Sequence, residues 1–151
     1  MSTTVEQTMR IEARPETVWR FFTDPAYLAQ WWGEAELEAR PGGDLRVEMQ
    51  DGPRPVMRGT FVELVPYERI VFTFGWEPAP GAPGIAPGAS QVEVTLTPDG
   101  HGTTLTLRHS GLPLQLGNET SVGWASVLRR LDEAAKRHGR HEHHRPSAAG
   151  S

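Results

Sequence analysis

No cysteine occurs in these 151 residues, which excludes disulfides, thiolate metal sites and cysteine nucleophiles and fits a reducing cytoplasm. Long apolar runs are missing as well: nothing approaches the roughly 18 residues of a membrane span. The N-terminus, MSTTVEQTMR, has no basic segment leading into an apolar one. A cytoplasmic protein without a membrane span is expected. An excess of basic charge is also lacking, since 15 Lys and Arg stand against 19 Asp and Glu, for a net charge of −4. A phosphate backbone needs a basic patch, so nucleic acid is excluded as the expected partner. A serine nucleophile elbow, a phosphate loop and a dinucleotide fingerprint are all absent, and no cofactor is implied. Tyrosine is scarce, two residues against five Trp and five Phe, a balance that favours an apolar interior.

What the chain does contain is organised around one long helix, expected from about Asn118 to His138. Trp124, Leu128, Leu131 and Ala135 recur at steps of four, three and four, so they share a helical stripe, while Arg129, Arg130, Asp132, Glu133 and Lys136 fall largely elsewhere. Asn118 suits the N-cap, and Gly139 suits the stop after Lys136, Arg137 and His138. Gly123, inside the helix beside Trp124, costs about 1 kcal/mol relative to alanine, which points to a close approach to the backbone there. Such a one-faced helix needs a sheet to lie on.

The rest of the chain supplies the sheet. Val5, Met9 and Ile11 alternate with polar residues in a first strand that Gln7 interrupts mildly. Pro15 and Glu16 open a short helix with Val18, Trp19 and Phe22 inward, and Asp24 with Pro25 opens a second of about two turns ending at Gly33. From Glu34 onward the pattern alternates. Leu37 sits in a short strand; Pro41 to Gly43 turn into Leu45, Val47 and Met49; then come strands over Val56 to Val65, Ile70 to Trp76, Gln91 to Thr97 and Thr103 to His109. About seven strands joined mostly by short turns make an antiparallel sheet. Glu77 to Ala89 holds four prolines and three glycines, too long for an ordinary hairpin, and reads either as a surface loop or as a lid over a pocket mouth. Residues 1–138 read as one domain, and 139–151, polar and rich in histidine, as a disordered tail.

The stretches IEARPETVWRFFTDPAYLAQWWG, PGGDLRVEM, GTFVELVPYERIVFTFGWE, VTLTPDGHGTTLTLRHSGL and GWASVLRRLDEAA, taken in order, resemble the activator-of-heat-shock-protein-ATPase-like family. That family belongs to the START-like or SRPBCC superfamily, with the birch-pollen-allergen fold. The resemblance implies an α+β helix-grip architecture: a curved antiparallel sheet wrapped around the C-terminal helix, two short helices closing one end, and an apolar cavity between. Members bind lipids, hormones or polyketides, cyclise or dehydrate polyketides, or engage the chaperone, and the shared fold does not choose among these. The additional N-terminal domain of the eukaryotic activator has no counterpart here, which weighs against a chaperone partner.

Strand parity then nominates the cavity lining. The expected ligand-binding set is Trp32, Met49, Arg58, Val62, Phe72, Phe74, Trp76, Leu107, His109, Trp124 and Leu128; Leu45, Val47, Leu64, Val92, Val94, Leu105 and Leu131 share its parity. His109, at a strand end, is the single candidate for an acid, a base or a ligand hydrogen bond; the alternative is a histidine satisfied by backbone or solvent. Arg58 is either a carboxylate anchor or a solvated strand residue. Glu63 and Glu93 have the opposite parity and do not form a paired-carboxylate site. His138, His141, His143 and His144 lack the HExxH spacing, so no metal site is expected. The leading expectation is a carrier, monomeric or homodimeric, of a small hydrophobic molecule. The alternatives are a polyketide cyclase or dehydratase using His109, and a chaperone-interacting protein.

Overall fold

The computed structural model of the protein describes residues 2–49, 55–78 and 85–150, with side chains as far as residue 138. The elements are β1 (Ser2–Ile11), α1 (Pro15–Thr23), α2 (Pro25–Leu28), β2 (Gly33–Leu37), β3 (Asp44–Met49), β4 (Val56–Val65), β5 (Arg69–Trp76), β6 (Ser90–Asp99), β7 (Gly102–Pro113), a 3-10 turn at Leu114–Leu116, and α3 (Gly117–Gly150). The strands form one sheet in the order β1, β7, β6, β5, β4, β3, β2, every neighbouring pair antiparallel. The helices α1 and α2 thus carry the chain from one sheet edge to the other. From there it meanders back until β7 pairs with β1. This is the α+β helix-grip arrangement, with α3 against the concave face.

Alternation places Ile70, Phe72 and Phe74 of β5, Val92, Val94 and Leu96 of β6, and Leu105, Leu107 and His109 of β7 on that face, all buried. From α3, Trp124, Leu128, Leu131, Ala134 and Ala135 close onto them. Gln7, out of pattern in β1, has a partner: its amide donates to the Ser121 backbone carbonyl at 3.1 Å and to the Ser121 hydroxyl at 3.0 Å, tying the edge strand to the helix.

Several local expectations are corrected. In α1 the buried residues are Pro15, Val18, Phe21 and Phe22, while Trp19 is half-buried against Tyr67. The helix α2 is a single turn, capped by the Asp24 carboxylate accepting from Ala26 N–H at 2.9 Å. The chain then folds both Trp31 and Trp32 inward, and the Trp31 indole donates to the Phe21 carbonyl at 2.8 Å. In β4 the register shifts between Phe61 and Glu63, a bulge that places two residues opposite one on β5 and re-aims the strand. Met57 and Phe61 therefore point inward, and Val62 is 48% exposed. At the other end of the chain, α3 starts at Gly117 directly from the 3-10 turn, so Asn118 lies inside its first turn rather than at its cap. It also runs past the expected stop at Gly139, to Gly150. One glycine costs a helix only about 1 kcal/mol, too little by itself to end it. Among the described residues no helix is long and apolar enough to cross a membrane.

Candidate functional site

Between the concave face and the first turns of α3 lies a cavity of about 210 Å³, open at one side. Its walls are Trp32, Met49, Phe74, Trp76, Ile85, Leu116, Glu119, Thr120, Gly123, Trp124 and Val127. The aromatic part is continuous: Trp32 and Trp124 lie with ring centroids 5.3 Å apart, Phe74 and Trp124 at 5.9 Å, and Phe74 and Trp76 edge to face at 5.4 Å. Three local rules supply these side chains. Phe74 and Trp76 follow strand parity, Trp32 ends the turn after α2, and Trp124 heads the apolar stripe of α3.

Gly123 leaves the helix side of this space open. A Cβ built there meets no atom within 4 Å, the reverse of the close approach that a glycine in mid-helix implied. Thr120, Gly123, Trp124 and Val127 follow one another at helical spacing, so Gly123 stands on the wall with its side chain missing. Ile85, between β5 and β6, lines another side. Trp76 N–H donates to the Ile85 carbonyl at 2.7 Å, and Ile85 is buried in the wall. At Gly75 a Cβ would meet the Ala86 carbonyl at 2.2 Å, so glycine there is what lets the loop lie across the strand. Residues 79–84, on which the lid question turns, fall outside the described residues.

His109 is not in the cavity wall. It sits in the middle of β7, opposite Val5 and Val92, because the strand continues to Pro113 instead of ending at His109. Its ring is fully buried, edge to face with Phe74 at 4.5 Å. The Trp124 indole N–H can only donate, and its nitrogen lies 3.0 Å from Nδ1 of His109, so Nδ1 accepts and the ring hydrogen is on Nε2. That N–H donates to the Ser90 hydroxyl at 2.8 Å, and Ser90 donates to the Phe74 carbonyl at 2.7 Å. Every polar atom in this chain of bonds has its partner. Burial lowers the His109 pKa from 6.5 to about 4, so the ring is neutral near pH 7 and anchors Trp124 to the sheet.

Of the expected site residues, Trp32, Met49, Phe74, Trp76 and Trp124 come together around the cavity. Phe72, Leu107 and Leu128 are buried in the core, outside the residues that line it. Val62 and Arg58 are corrections. The bulge turns Val62 to solvent, and Arg58, of the opposite parity to inward Met57, faces the outer surface, where it bonds the Glu77 carboxylate at 2.8 Å. Glu63 and Glu93 also lie outside and both pair with Arg69. Sequence reasoning missed Ile85, Leu116, Glu119, Thr120, Gly123 and Val127. A signal existed for Ile85, a lone large apolar residue in a loop of Pro, Gly and Ala, and for Thr120 and Val127, spaced four before and three after Trp124. Among the described residues no group of three or more His, Cys, Asp or Glu is placed to hold a metal ion. His141, His143 and His144 fall outside the described side chains.

The family described as Activator of Hsp90 ATPase homolog 1-like protein matches residues 12–136. Among solved structures, the chain is 37% identical to the AHSA1-like protein RHE_CH02687 (1–152) from Rhizobium etli, covering 89% of this chain and 82% of that one at a TM-score of 0.68. It is 29% identical to CV1439 from Chromobacterium violaceum, over 87% of this chain and 96% of that one, at a TM-score of 0.74. It is 27% identical to DynU16, a protein in the dynemicin biosynthetic locus, over 88% of this chain at a TM-score of 0.74, and spans about half, 47%, of that chain. No curated protein matches the sequence significantly.

Proposed function

Because the chain belongs to the Activator of Hsp90 ATPase homolog 1-like family, on a fold that leaves a cavity between sheet and helix, we propose that it binds a small hydrophobic or aromatic molecule there. The observation that carries this reading is the composition of the wall: eight of its eleven residues are Trp, Phe, Met, Ile, Leu or Val, and a ninth is glycine. Pockets built for small molecules are predominantly apolar with a few polar groups to orient the ligand. Size narrows the class. A cavity of about 150 Å³ accepts benzene and drug-sized ligands need about 300 Å³ or more. At about 210 Å³ this one suits one ring or two fused rings.

The state of His109 favours binding over catalysis. A general base needs a free lone pair within reach of the substrate, and both ring nitrogens of His109 are engaged behind the wall. The likeness to DynU16, from a biosynthetic locus, favours a second reading in which the ligand is an intermediate that the protein transforms in a cyclase-like reaction. His109→Ala separates the two: an enzyme using His109 loses turnover by orders of magnitude, while a carrier keeps its ligand with affinity reduced through Trp124.

Two measurements test binding itself. Native mass spectrometry of the purified protein, compared with its denatured mass, reads any retained ligand. Titration with naphthalenemethanol, followed by tryptophan fluorescence, reads occupancy, because Trp32, Trp76 and Trp124 form the wall. Gly123→Leu fills the space from the helix side and is expected to weaken the alcohol about tenfold or more, about 1.4 kcal/mol. If the alcohol binds the filled variant as well as the parent, the cavity is not its site.

A further inference from the structure

The charge inventory of the cavity is one-sided. Among the described residues that line it there is no Lys, Arg or His, and the single ionisable side chain is Glu119. Glu119 is exposed at the open side, in the first turn of α3, and has no ion-pair or hydrogen-bond partner among the described residues. The half-buried Thr120 hydroxyl beside it is likewise unpartnered there. By contrast, three arginines of the sheet are engaged on acidic groups: Arg58 on Glu77, Arg69 on Glu63 and Glu93, and Arg10 on Glu12 and Asp99.

The remaining walls reinforce that sign. The faces of Trp32, Trp76, Trp124 and Phe74 carry the negative side of the ring quadrupole, which attracts cations and repels anions. The amides of the first turn of α3 oppose this with roughly half a positive charge, less than the full unit on Glu119. The sum stays negative. A carboxylate- or phosphate-bearing ligand entering here would meet an unpaired like charge and no cation to pair with.

We propose that this cavity selects aromatic amines, with the ring laid among the tryptophans and the ammonium group at Glu119 and the Thr120 hydroxyl, and that it rejects aromatic acids of the same size. The inference rests on the reading of the cavity as a ligand site and adds the charge class of the ligand.

Three probes on one ring skeleton test it: naphthylmethylamine, naphthalenemethanol and naphthoic acid, each titrated by tryptophan fluorescence at low salt and near pH 7. The amine is expected to bind about tenfold more tightly than the acid, with the alcohol between, from cation–π attraction and the exposed carboxylate together. Glu119→Gln should cut the amine's advantage over the acid to about threefold or less, the aromatic faces supplying what is left, and shift the alcohol least of the three. Raising the salt should narrow the same gap in the parent protein. Equal affinities for amine and acid, with the alcohol bound, would overturn the charge selection and leave the cavity reading standing. A full preference surviving in Glu119→Gln would overturn the role given to Glu119. Failure of all three probes to bind would sink both the cavity reading and this inference.

Discussion

The two ends of α3 face the same concave sheet and treat it in opposite ways. Toward the C-terminal side, Leu128, Leu131, Ala134 and Ala135 are each 1% exposed or less and leave no space against the sheet. Nearer its N-terminus, Thr120, Gly123 and Val127 are half-buried or exposed and face a cavity. The strand residues opposite are apolar at both ends, so the difference lies in the side-chain volume the helix brings. A close-packed interior forfeits contacts wherever volume is missing. One end is therefore built for stability, and the other gives up packing to keep a space that a ligand can fill. Trp124 stands at the junction, with one side in the wall and its indole held by His109.

The sharpest way to break this comparison is to remove volume from the closed end. Leu131→Ala should destabilise by about 3 kcal/mol, within the range of 2–5 for a fully buried leucine, with little change in affinity for naphthalenemethanol. Denaturant unfolding of parent and variant measures the first and fluorescence titration the second. A loss below about 1 kcal/mol would mean that the end described as closed is loosely packed too.

Acid probes the junction. His109 holds its ring neutral with a pKa of about 4, against 6.5 in an unfolded chain. Between those values the unfolded state binds more protons than the folded one, so the contribution is complete above pH 6.5 and is lost as the pH falls toward 4. The whole span amounts to about 3 kcal/mol. Protonation also turns Nδ1 into a donor facing the Trp124 N–H, so the open end should change first. Tryptophan fluorescence should shift before global unfolding, and His109→Leu should remove that early phase. An identical acid profile in the variant would separate His109 from the acid response.

How far this division could be read beforehand differs between the two ends. The closed end was legible: Leu128, Leu131 and Ala135 follow from helical periodicity alone, and the strands and their antiparallel sense from alternation and turns. The open end was only partly so. Gly123 was visible as an anomaly, but a glycine is silent on whether backbone or empty space lies against it. The β4 face was misjudged at Val62 and Arg58 because a bulge inserts a residue without any change in the alternating letters, and one residue flips every side chain beyond it. His109 was taken for a strand end. Gly111 instead takes a positive φ of 78° within a strand that continues.

Filling the open end reverses the sign of the first prediction. Gly123→Ala adds a methyl group where nothing lies within 4 Å and removes a helix-interior glycine, so stability should rise by up to about 1 kcal/mol. A small loss of affinity for the probe alcohol should accompany it. Stability gained at Gly123 and lost at Leu131, on one face of one helix, would establish that the opening is kept at a cost in stability.

The smallest effect is expected at Arg58, and it decides which face of β4 the cavity sees. Arg58 stands directly opposite Arg46 across the β3–β4 pair, so the two like charges disfavour each other, and Glu77 lies 2.8 Å from the first and 4.0 Å from the second. Arg58→Ala removes an exposed ion pair and a repulsion together and leaves Glu77 with Arg46. The net change in stability should be within about 0.5 kcal/mol. Affinities for the amine, alcohol and acid probes should stay as they were, because the side chain is on the far side of the sheet from Trp124. A selective loss of the acid probe in Arg58→Ala would instead place this guanidinium inside. The bulge at Phe61 to Glu63 would then be misplaced, and the one-sided charge of the open end would no longer hold.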